Sequence, residues 1–142
     1  MRIDRRFTET GKSAYDAVAF RTATSEIRNP DGSVVFRLAD IQVPQQFSQV
    51  AADILAQKYF RKAGVPRHLK KVEENDVPSW LWRSVADLDA LAALPKDEQY
   101  GSEIDARQVF DRLAGTWTYW GWKGKYFTSE EDALAFRDEL AY

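Results

Sequence analysis

Apolar residues recur along this chain with two periods, one suited to strands and one to helices. Residues 17–43 read AVAFRTATSEI, then Asn29-Pro30-Asp31-Gly32, then SVVFRLADIQV. Val34, Phe36 and Leu38 alternate with their neighbours, the period of a half-buried strand. Asn-Pro-Asp-Gly is a turn sequence: Pro30 presets φ at the second position and Gly32 takes a φ > 0 exit. The pattern predicts a β-hairpin. Asp40 falls on the apolar parity while Ile41 and Val43 take the opposite one, so a bulge or bend is expected near Ala39–Asp40. Pro44 ends the second strand.

Helical spacing takes over at residue 45. Phe47, Val50, Ala51, Ile54, Leu55 and Tyr59 form a stripe, which predicts a helix over 45–63 with Ser48 as N-cap and Gly64 as stop. Residues 65–79 read as a polar connector. Residues 79–94 read as a short helix in two pieces, with Trp80, Leu81, Leu88, Leu91 and Leu94 as its buried members. Pro95–Gly101 reads as a loop. A longer helix is predicted over 102–120, capped by Ser102. Its stripe is Ala106, Val109, Phe110, Leu113, Trp117 and Trp120, and a helix with one such face must bury it against something. At roughly 1.5–3 kcal/mol for each fully buried large side chain, this helix is read as the centre of the core. Gly115 in mid-helix suggests that another backbone comes close. Gly121 and Gly124 bracket a tight turn. Thr128-Ser129-Glu130-Glu131 reads as a capping box with Thr128 as cap, opening a last helix with Ala133, Leu134, Phe136 and Leu140 on its apolar side. That helical pattern still runs at Tyr142, which reads as a cut. Residues 1–16 lack periodicity and read as an arm, frayed or laid over the surface through Ile3, Phe7 and Tyr15.

The expected architecture is α+β, a mostly helical small domain with an N-terminal β-hairpin: an arm over 1–16 and one domain over 17–142. A length of 142 residues supports a single core. Twenty basic residues stand against 22 acidic ones, for a net charge of -2, which argues against a nucleic-acid polymer as partner. No cysteine is present, so disulfides, thiolate metal sites and thiol chemistry within the chain are excluded. No apolar run is long enough to span a membrane, and no leader segment is apparent; the chain reads as cytoplasmic.

Candidate chemistry is sparse. His68, the single histidine, lies in a polar connector and reads as a solvated side chain. The acidic runs Glu73, Glu74, Asp76 and Glu130, Glu131, Asp132 select no catalytic pair. Gly121-Trp122-Lys123-Gly124-Lys125 resembles a phosphate loop in composition but follows a helix and lacks the spacing, so it reads as a turn. No catalytic, cofactor-binding or metal-binding residue is assigned.

The aromatic run is richer. Three of the five tryptophans fall between residues 104 and 127. Trp117, Tyr119, Trp120, Trp122 and Tyr126 are the candidate docking surface. One reading makes these rings a core with a few members on its rim. The other makes them a surface for a second body: Trp117 and Trp120 share a face while Tyr119 and Trp122 point elsewhere, so one side would meet this domain and one a partner outside it.

Four blocks carry a resemblance: ATSEIRNPDGSVVF from Ala23, QKYFRKAGVP from Gln57, WRSVAD from Trp82 and RLAGTWTYWGW from Arg112. They resemble the N-terminal domain of class II, vitamin B12-dependent ribonucleotide reductases. The resemblance implies a parent enzyme that makes deoxyribonucleotides by thiyl-radical chemistry started by adenosylcobalamin, on an α/β barrel outside this chain. It implies no catalytic residue, and no cofactor, in this chain itself. The implied partner is the catalytic barrel of the same reductase, and a homodimer of the parent stays open. The competing reading is a self-standing protein-interaction module using the Trp117–Trp122 face.

Overall fold

The computed structural model describes residues 1–142. The architecture is α+β, with four α-helices and short antiparallel strand pairs behind a long N-terminal hairpin. Strand β1 (Phe20–Arg28) pairs with β2 (Val34–Pro44). The turn closes as its sequence requires: Gly32 N–H donates to the Asn29 carbonyl at 2.9 Å, and Gly32 takes φ 87°. The bulge lies where the alternation breaks. Pairing steps from Ala23–Ile41 to Ser25–Leu38, so β2 carries one extra residue there. Asp40 absorbs it at φ 57°, a left-handed conformation that aspartate tolerates better than most residues. The insertion puts Phe36 and Leu38 on the same side as Ile41 and Val43, so one face of β2 serves the core along much of its length.

Helix α1 (Gln49–Ile54) starts at Ser48, whose hydroxyl accepts the Ala51 N–H at 3.1 Å. It continues as a π-helical turn, Leu55–Tyr59, closed by Phe60 N–H donating to the Leu55 carbonyl at 3.0 Å. The helix is shorter than the 45–63 expected, and its buried face differs. Ala52, Leu55, Ala56 and Phe60 are buried, whereas Val50, Ile54 and Tyr59 are exposed. Alanines on the inner face let α1 lie close to the hairpin, and the bulky residues that defined the sequence stripe turn outward. Ala23, Ile41 and Val43 of the hairpin, these α1 residues, and Ala106 and Val109 form one cluster, flanked by Phe20, Leu38, Phe47 and Phe110.

The middle of the chain departs most from its helical reading. Strand β3 (Val65–Pro66) pairs with Tyr100–Gly101, and β4 (Leu69–Lys71) pairs with β5 (Ser84–Ala86). The expected helix over 79–94 is a 3-10 turn (Ser79–Leu81), then β5, then α2 (Leu88–Ala92) capped by Asp87. Leu81 and Leu91 are buried, Trp80 and Leu94 half-buried, and Leu88 exposed. A short isolated helix is marginal on its own, and a strand partner in β4 outweighs it. The connector and the Pro95–Gly101 loop thus each contribute strand residues, the latter as β6 (Tyr100–Gly101).

Helix α3 (Ala106–Lys123) is capped by Asp105, not Ser102: Asp105 accepts the Arg107 N–H at 2.9 Å, and Gln108 Oε1 accepts the Asp105 N–H at 3.0 Å. Gly121 lies inside this helix, which ends at Gly124. Lys125 takes the left-handed position at φ 58°, with its N–H bonded to Trp122 O and that of Tyr126 to Gly121 O, both at 3.0 Å. That pair of bonds is a Schellman closure. Helix α4 (Glu130–Ala141) is capped by Ser129, displacing the expected Thr128, and packs along α3. Gly115 meets nothing within 4 Å; the close approach is at Gly121, where a Cβ would lie 2.7 Å from the Phe127 ring. The first eight residues run along α4. Ile3 N–H donates to Asp132 at 2.8 Å, Arg5 reaches Asp138 at 2.8 Å, and Phe7 stacks on Tyr142 with centroids 5.2 Å apart.

Candidate docking surface

One side of α3 carries the whole predicted stripe, but only its first half is covered. Ala106 and Val109 are buried and Phe110 packs on the hairpin cluster. The stripe then runs past the hairpin. Leu113 is exposed, Trp117 is 46% exposed and Trp120 63%. At 1.5 Å per residue, 18 residues make a helix about 27 Å long, and the hairpin cluster takes up residues only from its first turns. The side of α3 buried in this half is made of small residues, Ala114, Thr118 and Gly121, with Ala133 and Ala135 buried on α4. Thr118 Oγ1 satisfies itself on the Ala114 carbonyl at 2.7 Å.

Tyr119 and Trp122 point the other way, into the segment over 72–78. Tyr119 Oη donates to Glu74 at 2.8 Å, and Trp122 Nε1 donates to the Asp76 carbonyl at 2.7 Å. Arg83 pairs with Glu74 at 2.5 Å and Lys123 with Asp76 at 3.0 Å. The Tyr119 bond, with Arg83 behind it, holds the Glu74 carboxyl below its ordinary range; the same bond raises the Tyr119 phenol. Lys123 likewise lowers Asp76. These two rings therefore fasten a loop of this chain. Trp117 and Trp120, expected on the buried stripe, point outward, while Tyr119 and Trp122 point inward. The sequence stripe locates a shared face but not where the covering layer ends.

Tyr126 is exposed, and its ring edge lies over Gly124, where a Cβ would come within 2.9 Å of it. It lies just past the end of α3. Leu113 belongs to the outward patch of Trp117 and Trp120; its place on the stripe was the available signal. The turn at Gly121–Lys125 is no phosphate cradle. Gly124 N–H donates to Trp120 O at 2.8 Å and that of Lys125 to Trp122 O, so these amides close the negative end of a helix dipole. In the second acidic run, Asp132 is held low by the Ile3 N–H and the Ser129 hydroxyl. Arg5 pairs with Glu131 at 3.2 Å.

An open concavity of about 330 Å³ lies between Asp76, Trp122, Lys125 and Ser129, and one of about 170 Å³ beside Phe36 and Phe60. Pockets for drug-sized ligands span roughly 300–1,000 Å³ and are mostly enclosed and apolar. A corrin with its axial groups is larger still. His68 is exposed, and no three His, Cys, Asp or Glu side chains converge. The residues present do not fit a cobalamin site. No helix is long and apolar enough to cross a membrane.

A vitamin B12-dependent ribonucleotide reductase of Agrobacterium fabrum is 78% identical across the whole chain, one of Bradyrhizobium diazoefficiens 68%, and one of Streptomyces coelicolor 29%. The chain spans about 11% of the length of each of these relatives. The family profile described as class II vitamin B12-dependent ribonucleotide reductase matches residues 21–142. With most of its length under that profile, the chain belongs to the class II, vitamin B12-dependent ribonucleotide reductase family, matching its N-terminal domain.

Proposed function

We propose that this chain is a non-catalytic, organisational domain of a cytoplasmic, adenosylcobalamin-dependent reductase that converts ribonucleotides to deoxyribonucleotides. Its partner is the catalytic barrel of the same polypeptide, and its docking surface is the outward end of α3. The observation that carries this reading is the uncovered half of the α3 stripe, Leu113, Trp117 and Trp120, continuous with a covered first half. The lack of any cysteine supports it, because the thiyl chemistry that the resemblance implies needs thiols the chain does not have. Tyr119 and Trp122 act within the domain, by holding the loop that flanks the surface.

The test compares Trp117→Ala/Trp120→Ala in the intact reductase and in this chain alone. In the chain alone both rings are only about half covered, so the expected loss of stability is limited to that part of their burial. In the intact protein the loss is larger, and reductase turnover falls with it. An equal loss in both contexts would refute docking. Turnover by the purified chain with adenosylcobalamin, a dithiol and ribonucleotide would refute the non-catalytic assignment.

A further inference from the structure

A second feature lies away from the α3 surface, where the π-helical turn ends. Phe36, Arg37 and Leu38 of β2, Ala56, Phe60, Arg61 and Lys62 after α1, and Ser102 enclose the concavity of about 170 Å³. Its base is apolar and its rim is cationic. Lys62 forms no ion pair; its Nζ sits 4.5 Å above the Phe36 ring. Arg37 reaches Glu26 at 3.4 Å, but Glu26 also pairs with Arg28. Arg61 reaches Glu103 at only 3.6 Å, while Glu103 is shared with Arg112 at 3.1 Å. Three cations, Arg37, Arg61 and Lys62, thus line the cleft with no carboxylate among its lining residues, and the two carboxylates that reach Arg37 and Arg61 are each shared with a further arginine, in a chain whose net charge is -2.

The backbone is shaped for this arrangement. Glu103, 1% exposed, accepts the Arg61 N–H at 2.7 Å and fixes the chain where it leaves the π turn. A π turn is an uncommon distortion that occurs frequently at functional sites. Here it keeps Ala56 and Phe60 inward while Arg61 and Lys62 emerge together. Arginine forks match the tetrahedral oxygens of a phosphoryl group, and Lys62, without an ion pair and set over an apolar wall, adds a cation that an incoming anion can neutralise.

We propose that this cleft binds a phosphoryl oxyanion, one or two phosphoryl groups of a small molecule, through Arg37, Arg61 and Lys62. The volume suits such a group and is too small for a peptide segment. The proposal is independent of the α3 docking surface, which lies on other residues.

The test is a titration with inorganic pyrophosphate, followed by calorimetry and 31P NMR, on the intact reductase and on this chain. Lys62→Gln and Arg37→Gln are the variants; both side chains lie at the rim, so neither change opens the core. The expected result is saturable binding in both proteins, weakened roughly tenfold by each substitution, as the loss of one charge-assisted hydrogen bond predicts. Binding confined to the isolated chain would overturn the proposal, because the cleft would then be covered by another part of the reductase. A non-saturating response, or equal binding in both variants, would also overturn it. Equal binding of chloride would show a diffuse ion atmosphere.

Discussion

Replacing Gly115 by alanine should stabilise this protein, against the usual meaning of a glycine in mid-helix. An ideal Cβ at Gly115 meets nothing within 4 Å. The substitution therefore recovers helix propensity, about 1 kcal/mol, without steric cost. With an unfolding entropy of about 2.1 cal/mol/K per residue, spread over 142 residues, that gain raises the thermal midpoint by about 3 °C. Gly121→Ala is the matched control, because it offers the same propensity gain in the same helix. There the new Cβ would lie 2.7 Å from the Phe127 ring, which packs on Phe136 with centroids 5.3 Å apart. Overpacking costs roughly 1–3 kcal/mol, so the expected net change at Gly121 is a loss of about 1 kcal/mol. Urea unfolding followed by far-UV circular dichroism, with an unchanged m-value, measures both. A destabilised Gly115→Ala, or equal shifts for the two variants, would refute this account of where α3 is closely approached.

Two further predictions concern the ends of α3 and α4. Lys125→Gly should stabilise by about 0.5–1 kcal/mol, since the left-handed closing position costs a side-chain-bearing residue roughly 1–2 kcal/mol and part of the gain is returned as glycine's backbone entropy; urea unfolding checks it, and a loss would mean the lysine side chain contributes more than its backbone costs. The N-terminal arm should detach in acid. Burial alone would raise the Glu139 carboxyl, but the Thr8 hydroxyl and the N–H groups of Arg6, Phe7 and Thr8 overcome that and hold it at about 2. A lowered folded value means that the contribution is complete above the ordinary value near 4.5 and is lost as pH falls toward 2. Cross-peaks between the Phe7 and Tyr142 rings should fade over that window while those between α3 and α4 remain, and Glu139→Gln should weaken them at pH 7; persistence in both cases would refute the mechanism.

The hairpin was legible because its signals are local. Asn29 to Gly32 specify a turn by their own conformational preferences, and the parity switch at Asp40 forces an extra residue whatever else the chain does. The existence of α3 and α4 was legible from periodicity alone. What failed depended on distant parts of the chain. The π turn, and the outward rotation of Val50 and Ile54, follow from how closely two alanines let α1 approach the sheet. Strand β5 exists because β4 is there to pair with it. The caps moved to Asp105 and Ser129 because each helix start offers more than one capping residue, Ser102 and Asp105 at α3 and Thr128 and Ser129 at α4, and tertiary packing chooses between them. At the docking surface the five rings were found by composition. Which of them face solvent was set by the 72–78 segment, whose carbonyl at Asp76 and carboxylate at Glu74 engage Trp122 and Tyr119.

The size of the α3 patch argues for the kind of partner it suits. Full burial of a large apolar side chain contributes roughly 1.5–3 kcal/mol, and Trp117 and Trp120 are already about half covered. Covering these two rings and Leu113 completely would therefore contribute about 2–4 kcal/mol. Association of two free molecules must first overcome some 4–15 kcal/mol of lost translational and rotational freedom. The patch is too small to carry that cost for a second soluble protein. It is large enough once the partner is tethered, because a covalent connection turns docking into an intramolecular step at high effective concentration. The patch thus suits a partner joined covalently to this domain, as the proposed catalytic barrel would be, and the Trp117/Trp120 comparison must be made in the intact reductase, where such a tether would be present.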